Sequence, residues 1–302
     1  MNLNFFSRFR ARGHNRAQAM TAWLFIAPAL VGFSVFYLLP TIRAFYLSFT
    51  SWNLLSPAEF IGAGNYRQLL ADERFWNSMR VTVLYVLYNI PLQTALALFL
   101  AVLLDRFGRA SAMRAVVLLP FLLSNLIVAM LWFWLLDPLL GFGNAVLEGI
   151  GIGRHAFFSD AQLALPTIAA VNIWRHVGFN ALLFYTGLQS IPRHLYEAAF
   201  LEGAGAGRVF WKITLPLLRP ILMFVLTTSV IGSFQIFDTI VVATQGGPAD
   251  STQTIMWYIY QSAFGSFRMG YASAMSCVLF VGLVAVTLLQ MRLLRGGESD
   301  LA

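Results

Sequence analysis

Between Arg80 and Asp105 the chain runs for 24 residues without a single charged side chain. A helix rises about 1.5 Å per residue, so this run reaches roughly 36 Å, enough to cross a hydrocarbon core about 30 Å thick. A stretch this long and this apolar has no face to offer water, which excludes most soluble helical folds. Segment 81–104 has five counterparts of similar character, at about 20–42, 115–136, 163–189, 217–237 and 271–291. Composition follows the same rule: 59% of the 302 residues are hydrophobic and 11% charged, where soluble domains carry about 25% charged. The expectation is an all-α integral membrane protein with six transmembrane helices. The fourth segment is the least pure, holding Asn172, Arg175, His176 and Asn180. The first continues past Pro40, longer than a signal-peptide core, and reads as an uncleaved anchor.

Basic residues set the orientation, since short cytoplasmic loops hold the excess of Lys and Arg. With the N-terminus inside, thirteen of the 20 basic residues fall on the cytoplasmic side: Arg8, Arg10, Arg12, Arg16, Arg106, Arg109, Arg114, Arg193, Arg208, Lys212, Arg219, Arg292 and Arg295. Six lie outside, and Arg175 alone lies within the membrane, Arg219 being counted at the cytoplasmic edge of its span. The topology is N-in, C-in. Trp23 and Trp211 then fall at the inner interface, and Trp52, Trp76, Trp132, Trp134 and Trp257 near the outer one. The net charge of +7 reflects this bias and contact with anionic lipid; no nucleic-acid partner is expected.

Several chemistries lack their residues. Lys212, the only Lys, follows Trp211, so no phosphate-cradling Gly-Lys motif exists. Cys277 is the only Cys, which rules out a disulfide framework. His14, His155, His176 and His194 are scattered, and no metal site is expected. No carboxylate lies in the apolar core of a span, so an acid-based proton relay is missing. The chain reads as no enzyme and holds no cofactor; uphill transport needs energy from another subunit.

One loop stands out. From Pro192 to Pro216 the chain holds two Glu, three of the basic residues including Lys212, and Gly203, Gly205 and Gly207. Pro192 suits the first turn of a helix, with Ser190 as a possible cap. RHLYEAAFLE then forms a short helix of about three turns, ended by the glycines. Leu195, Ala198 and Ala199 share a face whose small Ala side chains admit another backbone closely, and Glu197 stands beside it. Two acids suit a membrane-surface helix poorly; a docking helix for another protein fits better.

Glu197-Ala198-Ala199, three residues, Gly203, nine residues, then Ile213-x-Leu215-Pro216 resembles the EAA loop of permease subunits of binding-protein-dependent ABC importers. Glu202 stands where Asp is more usual before Gly203. Gly187-Leu188-Gln189-x-Ile191-Pro192, Phe237-Asp238, Thr244-x-Gly246-Gly247-Pro248 and Gly270-Tyr271-Ala272-Ser273-Ala274 resemble the carbohydrate-uptake branch, the six-span sugar and glycerol-phosphate permeases. Resemblance is dense over 163–291; earlier it rests on the span pattern and on Gly62–Tyr66. It implies a type I ABC importer permease fold with a cytoplasmic coupling helix, in which Glu197, Ala198, Ala199, Glu202 and Gly203 meet a cytoplasmic ATPase. It further implies a second homologous permease subunit, two ATPase subunits that bind ATP and Mg, an extracytoplasmic solute-binding protein, and a prokaryotic plasma (inner) membrane location. The expected domains are a basic arm at 1–19, a permease domain at 20–294 with the coupling loop at 192–216, and a tail at 295–302.

Asn172, Arg175, His176, Phe179 and Asn180 follow i, i+3, i+4, i+7, i+8, one face of a helix. Polar groups at membrane depth normally face a bundle interior or a water-filled cavity. Ser229, Ser233 and Gln235 add polar groups from the fifth span, and similar permeases bind sugars between the spans flanking the coupling loop. Phe179 or Trp174 offers an aromatic platform for a hydroxyl-rich ligand. Arg175 is compatible with an anionic ligand or with an acid on the partner permease, and the Ser and Asn residues with plain helix-to-helix hydrogen bonding. Gly246, Gly247 and Pro248 form a turn first, and a contact for the binding protein or outer gate second. Tyr88, Asn89 and Pro91 point to a kinked second span; Ser124 and Asn125 are a weaker pointer in the third. The alternatives are an ABC permease for a non-sugar solute and a stand-alone secondary transporter.

Overall fold

The computed structural model describes residues 4–107 and 111–294. The expected tail at 295–302 and the loop residue Arg109 lie outside the described residues, as do the side chains of Arg8, Arg10, Arg12 and Arg16. Helix α1 (Asn4–Phe33) continues through a π-helical turn (Ser34–Leu38) into α2 (Leu39–Leu47). The arm expected at 1–19 is therefore helical from Asn4 onward. Strands β1 (Thr50–Ser51) and β2 (Glu59–Phe60) pair antiparallel, Thr50 opposite Phe60, a small departure from an all-α chain. Then come α3 (Gly64–Ala71), α4 (Glu73–Phe107), α5 (Ser111–Leu122), α6 (Asn125–Leu135), α7 (Phe142–Gly149) and α8 (Ala164–Ser190). The loop holds α9 (Arg193–Leu201), α10 (Ala206–Val209), a π-helical turn (Phe210–Thr214) and α11 (Leu215–Leu217). Helices α12 (Arg219–Phe234), α13 (Asp238–Ala243), α14 (Ile255–Tyr260) and α15 (Met269–Leu294) complete the chain.

Among the described residues, four helical segments are long and apolar enough to cross a membrane: Gln18–Leu47, Glu73–Phe107, Arg219–Ala243 and Met269–Leu293. The pair α5–α6, bent by 89° at its break, makes a fifth if taken as one broken span. The count expected from sequence was six. The difference is α8, whose 27 residues span about 40 Å but include the polar set Asn172, Arg175, His176 and Asn180. Helix α8 instead packs along α4, with α5, α6 and α12 also against it.

Proline and the kink signals part company here. Helix α4 runs unbroken through Pro91, whereas the weaker pointer, Ser124–Asn125, marks the real break. Pro120 lies inside α5, and Ser124 takes an extended conformation (φ −60°, ψ 142°) as it opens α6.

The core follows α4 in three clusters. At its start, Leu69 and Phe75 meet Ile255, Tyr258, Tyr271 and Met275. Midway, Tyr85 meets Val128, Ile168 and Ile240. Near its end, Ala97 and Ala101 meet Phe184, Leu218 and Val225. Asp72 ties the first cluster together. Its Oδ1 accepts the Arg74 N–H at 2.9 Å, and its Oδ2 accepts the Tyr258 and Tyr271 hydroxyls at 2.6 and 2.5 Å. Asn65, in the Gly62–Tyr66 segment, donates to the Ser48 and Thr50 carbonyls and so holds α3 against the strand pair. Outside these clusters the surface is oily: Phe25 is 78% and Trp134 80% exposed, as suits a multi-pass protein surrounded by lipid and other apolar chains.

Candidate functional site

A cavity of about 330 Å³ opens where α4, α8 and α12 meet the break between α5 and α6. Its size is at the low end for small-molecule sites. Seven of the nine pathway residues expected from sequence line it: Asn172, His176, Phe179, Asn180, Ser229, Ser233 and Gln235. The polar face of α8 is legible because residues three and four apart stack on one side.

Hydrogen bonds across the wall join three helices. Asn89 Nδ2 on α4 donates to Ser233 Oγ on α12 at 2.9 Å. Ser229 Oγ accepts from Gln93 Nε2 at 3.4 Å and from Asn180 Nδ2 at 3.5 Å. Asn89, Gln93, Asn180 and Ser233 are each no more than 4% exposed. An aromatic plate closes one side: the Phe121 and Phe179 rings stack at 4.3 Å and 11°, with His176 edge-on to Phe121. Gly178 permits this assembly. A Cβ there would sit 1.8 Å from the Val117 carbonyl oxygen, so only glycine lets α5 approach α8 this closely.

Two expected pathway residues do not line the cavity. Trp174 lies two positions beyond Asn172, about 200° around the helix, and packs edge-on against Trp132 at 5.4 Å. Arg175 turns to the broken third span. Its Nη2 donates to the Leu123 carbonyl at 2.9 Å and the Phe121 carbonyl at 3.2 Å, and its Nε to Leu123 again. A helix break strands carbonyls that a continuous helix would satisfy, and Arg175 satisfies two. Its Nη1 lies 2.9 Å from His176 Nε2. Arginine only donates, so Nε2 accepts and the ring proton sits on Nδ1, donating to the Asn172 carbonyl at 3.0 Å.

At the other end of α8, Ser190 donates to the Gly187 carbonyl and so closes α8 rather than capping the next helix. Pro192 sits at the N-cap of α9 rather than its first turn. After nine residues the helix ends in a Schellman motif: the Gly203 N–H bonds the Phe200 carbonyl and the Ala204 N–H the Ala199 carbonyl. Gly203 has φ +78° with nothing within 4 Å of an added Cβ; backbone conformation, not space, calls for glycine. Leu195, Ala198 and Ala199 do not act as one outward face. Ala199 is buried and Leu195 and Tyr196 pack toward Leu188, Ile191 and Leu218, with the Tyr196 hydroxyl 3.2 Å from that of Thr214. Glu197, Ala198, Glu202, Phe200 and Leu201 are exposed, Leu201 at 90%. Gly246, Gly247 and Pro248 lie in the turn between α13 and α14, where the Thr252 hydroxyl donates to the Gly247 carbonyl; none of the three lines the cavity.

Residues 93–296 match the model of the binding-protein-dependent transport system inner membrane component family. The chain belongs to that family. It is 37% identical over 279 residues to the sulfoquinovosyl glycerol transport system permease protein SmoG of Agrobacterium fabrum, covering 91% of this chain and 91% of that one. It is 32% identical over 275 residues to the sn-glycerol-3-phosphate transport system permease protein UgpA of the same organism, covering 89% and 93%. A bacterial ABC transporter involved in the import of the acidic polysaccharide alginate contains a chain with a TM-score of 0.83 at 23% identity, covering 96% of this chain and 100% of that one. That likeness shows the type I ABC importer permease fold. The protein is thus a multi-pass inner-membrane permease of the ABC transporter type.

Among the lining residues of this permease, Gln93, Phe121 and Thr228 went unread in the sequence, Asn89 and Asn125 were read only as kink pointers, and Asp238 only as lying near the outer end of the fifth span. Asn89 and Gln93 carried a usable signal, two amides at i, i+4 inside the uncharged run 81–104, by the same polar-at-depth rule that found α8. Asn89 was read only as part of a kink. Phe121 carried none, since its place depends on the break.

Proposed function

We propose that this permease crosses the membrane six times, N-in and C-in, with α8 as the fourth span and α5–α6 as a broken third. It forms half of a heterodimeric translocation pathway for a sugar or sugar-like solute, delivered by an extracytoplasmic binding protein. The cavity at the α4–α8–α12 junction is the solute's station in this subunit. The observation that carries the proposal is the cavity's lining: amides and hydroxyls from three helices around a stacked aromatic pair, the chemistry a polyhydroxylated ring needs. Relatives named for sulfoquinovosyl glycerol and sn-glycerol 3-phosphate transport support a glycosyl- or glycerol-type solute.

Energy enters through α9. Its exposed Glu197, Ala198, Phe200 and Leu201 dock on a cytoplasmic ATPase subunit that holds ATP and Mg, while Leu195, Tyr196 and Ala199 transmit the movement to α8 and α12. Glu202 and Gly203 shape the end of that contact. A binding protein on the other side is supported by the alginate transporter, one structure of which is a complex with a pentasaccharide-bound periplasmic protein. Co-expression with the neighbouring ATPase, permease and binding-protein genes, followed by reconstitution into proteoliposomes, tests the whole reading. The expected result is solute uptake that requires both ATP and the binding protein. Uptake by this chain alone would overturn it.

A further inference from the structure

We infer that the cavity takes an uncharged polyhydroxylated solute and rejects anionic ones, because the single cation at membrane depth is committed to the protein's own backbone. The inference rests on the cavity being the solute station of the permease, and adds the charge class of the solute.

Arg175 is the one basic residue deep inside the six apolar segments, Arg219 standing at the cytoplasmic start of the fifth, and from sequence it was the natural partner for a phosphate or carboxylate. The structure directs all three of its guanidinium nitrogens elsewhere: to the Leu123 and Phe121 carbonyls and to His176 Nε2. The guanidinium carbon lies 5.2 Å from the Phe121 ring centre, so the charge also steadies the aromatic plate from behind. Arg175 is a positioning residue, absent from the lining. His176 does line the cavity, but accepting the Arg175 proton at Nε2 keeps it in a neutral tautomer.

The remaining charge on the lining is Asp238, which makes no ion pair among the described residues. An anion entering the cavity meets the Asp238 carboxylate on the lining, while the one nearby cation, Arg175, sits off the lining and is already in electrostatic contact with that same carboxylate, so its charge is balanced before any solute arrives. The wall has the opposite appetite. Asn, Gln, Ser and Thr side chains line it, and solute hydroxyls both donate to and accept from such groups; a phosphate dianion or a carboxylate only accepts.

Saturation-transfer NMR on the full permease, assembled with its partner subunits in nanodiscs, tests the assignment with two matched pairs of probes: methyl α-glucoside against glucose 6-phosphate, and glycerol against sn-glycerol 3-phosphate. The neutral member of each pair should give transfer about tenfold stronger. Asp238→Asn should raise the phosphorylated signal several-fold. Equal or stronger transfer to either phosphorylated probe, transfer to none of the four, or a neutral-to-phosphorylated ratio unchanged in Asp238→Asn overturns the inference. ATP-driven uptake of an anionic solute would remove this inference while leaving the permease function intact, whereas failure to take up any solute would remove the function.

Discussion

The cavity wall and the α9 segment both interrupt apolar chain with polar residues, yet they treat them oppositely. In the wall the polar groups are consumed internally: Asn89 on Ser233, Gln93 and Asn180 on Ser229, Arg175 on the broken span. In α9, Glu197 and Glu202 make no ion pair among the described residues, and Phe200 and Leu201 stand in the open. Even the glycines differ: Gly178 is there for space and Gly203 for its φ. Internally paired polar groups set geometry, and unpaired exposed ones mark a surface built for another molecule. The wall should therefore fail in stability when mutated, and α9 in transport.

Gly178→Ala should break the wall most completely. A methyl 1.8 Å from the Val117 oxygen cannot be absorbed by a side-chain shift, because the obstacle is backbone, so α5 and α8 must separate. Little monodisperse protein should survive size exclusion in detergent; a normal yield with unchanged thermal unfolding refutes the close approach. Glu197→Lys is the counterpart in α9. Thermal unfolding should stay as in the parent, while ATP-driven uptake drops about 30-fold or more, the scale of losing a hot-spot contact. Retained uptake with retained ATPase co-purification would remove α9 from the coupling route.

Arg175→Leu sharpens the division, because the two regions predict different readouts for one lost charge. Removing the guanidinium leaves the Phe121 and Leu123 carbonyls without their donors, at about 1 kcal/mol for each hydrogen bond lost. The melting temperature in detergent should fall clearly, and an unchanged one refutes the pinning role. A weaker effect belongs to the Asp72 knot. Burial pushes the Asp72 carboxyl up, but hydrogen bonds from Tyr258, Tyr271 and two backbone N–H groups outweigh it and hold it below the ordinary carboxylate value. The stabilisation is therefore complete above about pH 4 and disappears as pH falls through the lower folded-state value. Burial and then the bond to Asp72 push the Tyr258 phenol up to about 12, so its contribution is complete below about pH 10 and lost as pH rises through 12. Tyr258→Phe should cost about 1.5–3 kcal/mol at neutral pH, as for a hydrogen bond to a charged group, and should flatten the acid side of a pH–melting curve. An identical acid limb in the variant refutes the knot.

What the sequence discloses follows from where each signal is stored. The uncharged runs of α4 and α15, most of the polar face of α8 and the glycine-ended helix α9 are local patterns with periods of their own, and each is helical as expected. Six lining residues came from one rule about polar groups at depth, and Phe179 from sharing their helix face. The rest depends on contacts between distant segments. Arg175 obeys the same periodicity as Asn172 and Asn180, yet its partners are carbonyls exposed by a break some 50 residues earlier, which no local pattern encodes. Pro91 and Pro120 are both prolines within apolar runs, but only the second adjoins a break. The six spans expected from sequence exceed the four or five segments apolar enough to cross among the described residues, because α8 carries the cavity's polar residues.

Gly203 offers the smallest and most selective test of the comparison. Its left-handed backbone costs an L-residue about 1–2 kcal/mol, and the site is otherwise open. Gly203→Ala should therefore fray the end of α9 by about that amount, with global unfolding unchanged and uptake lowered only modestly, less than about fivefold. Asp tolerates the left-handed region better than Ala does, so backbone strain alone predicts that Gly203→Asp is the milder of the two. A surface awaiting an ATPase predicts the reverse order, because Asp sets a third carboxylate beside Glu197 and Glu202 where the partner docks. Uptake falling further in Gly203→Asp than in Gly203→Ala supports the docking surface. The opposite ranking reduces the glycine to a helix terminator and leaves Glu197 to carry the contact.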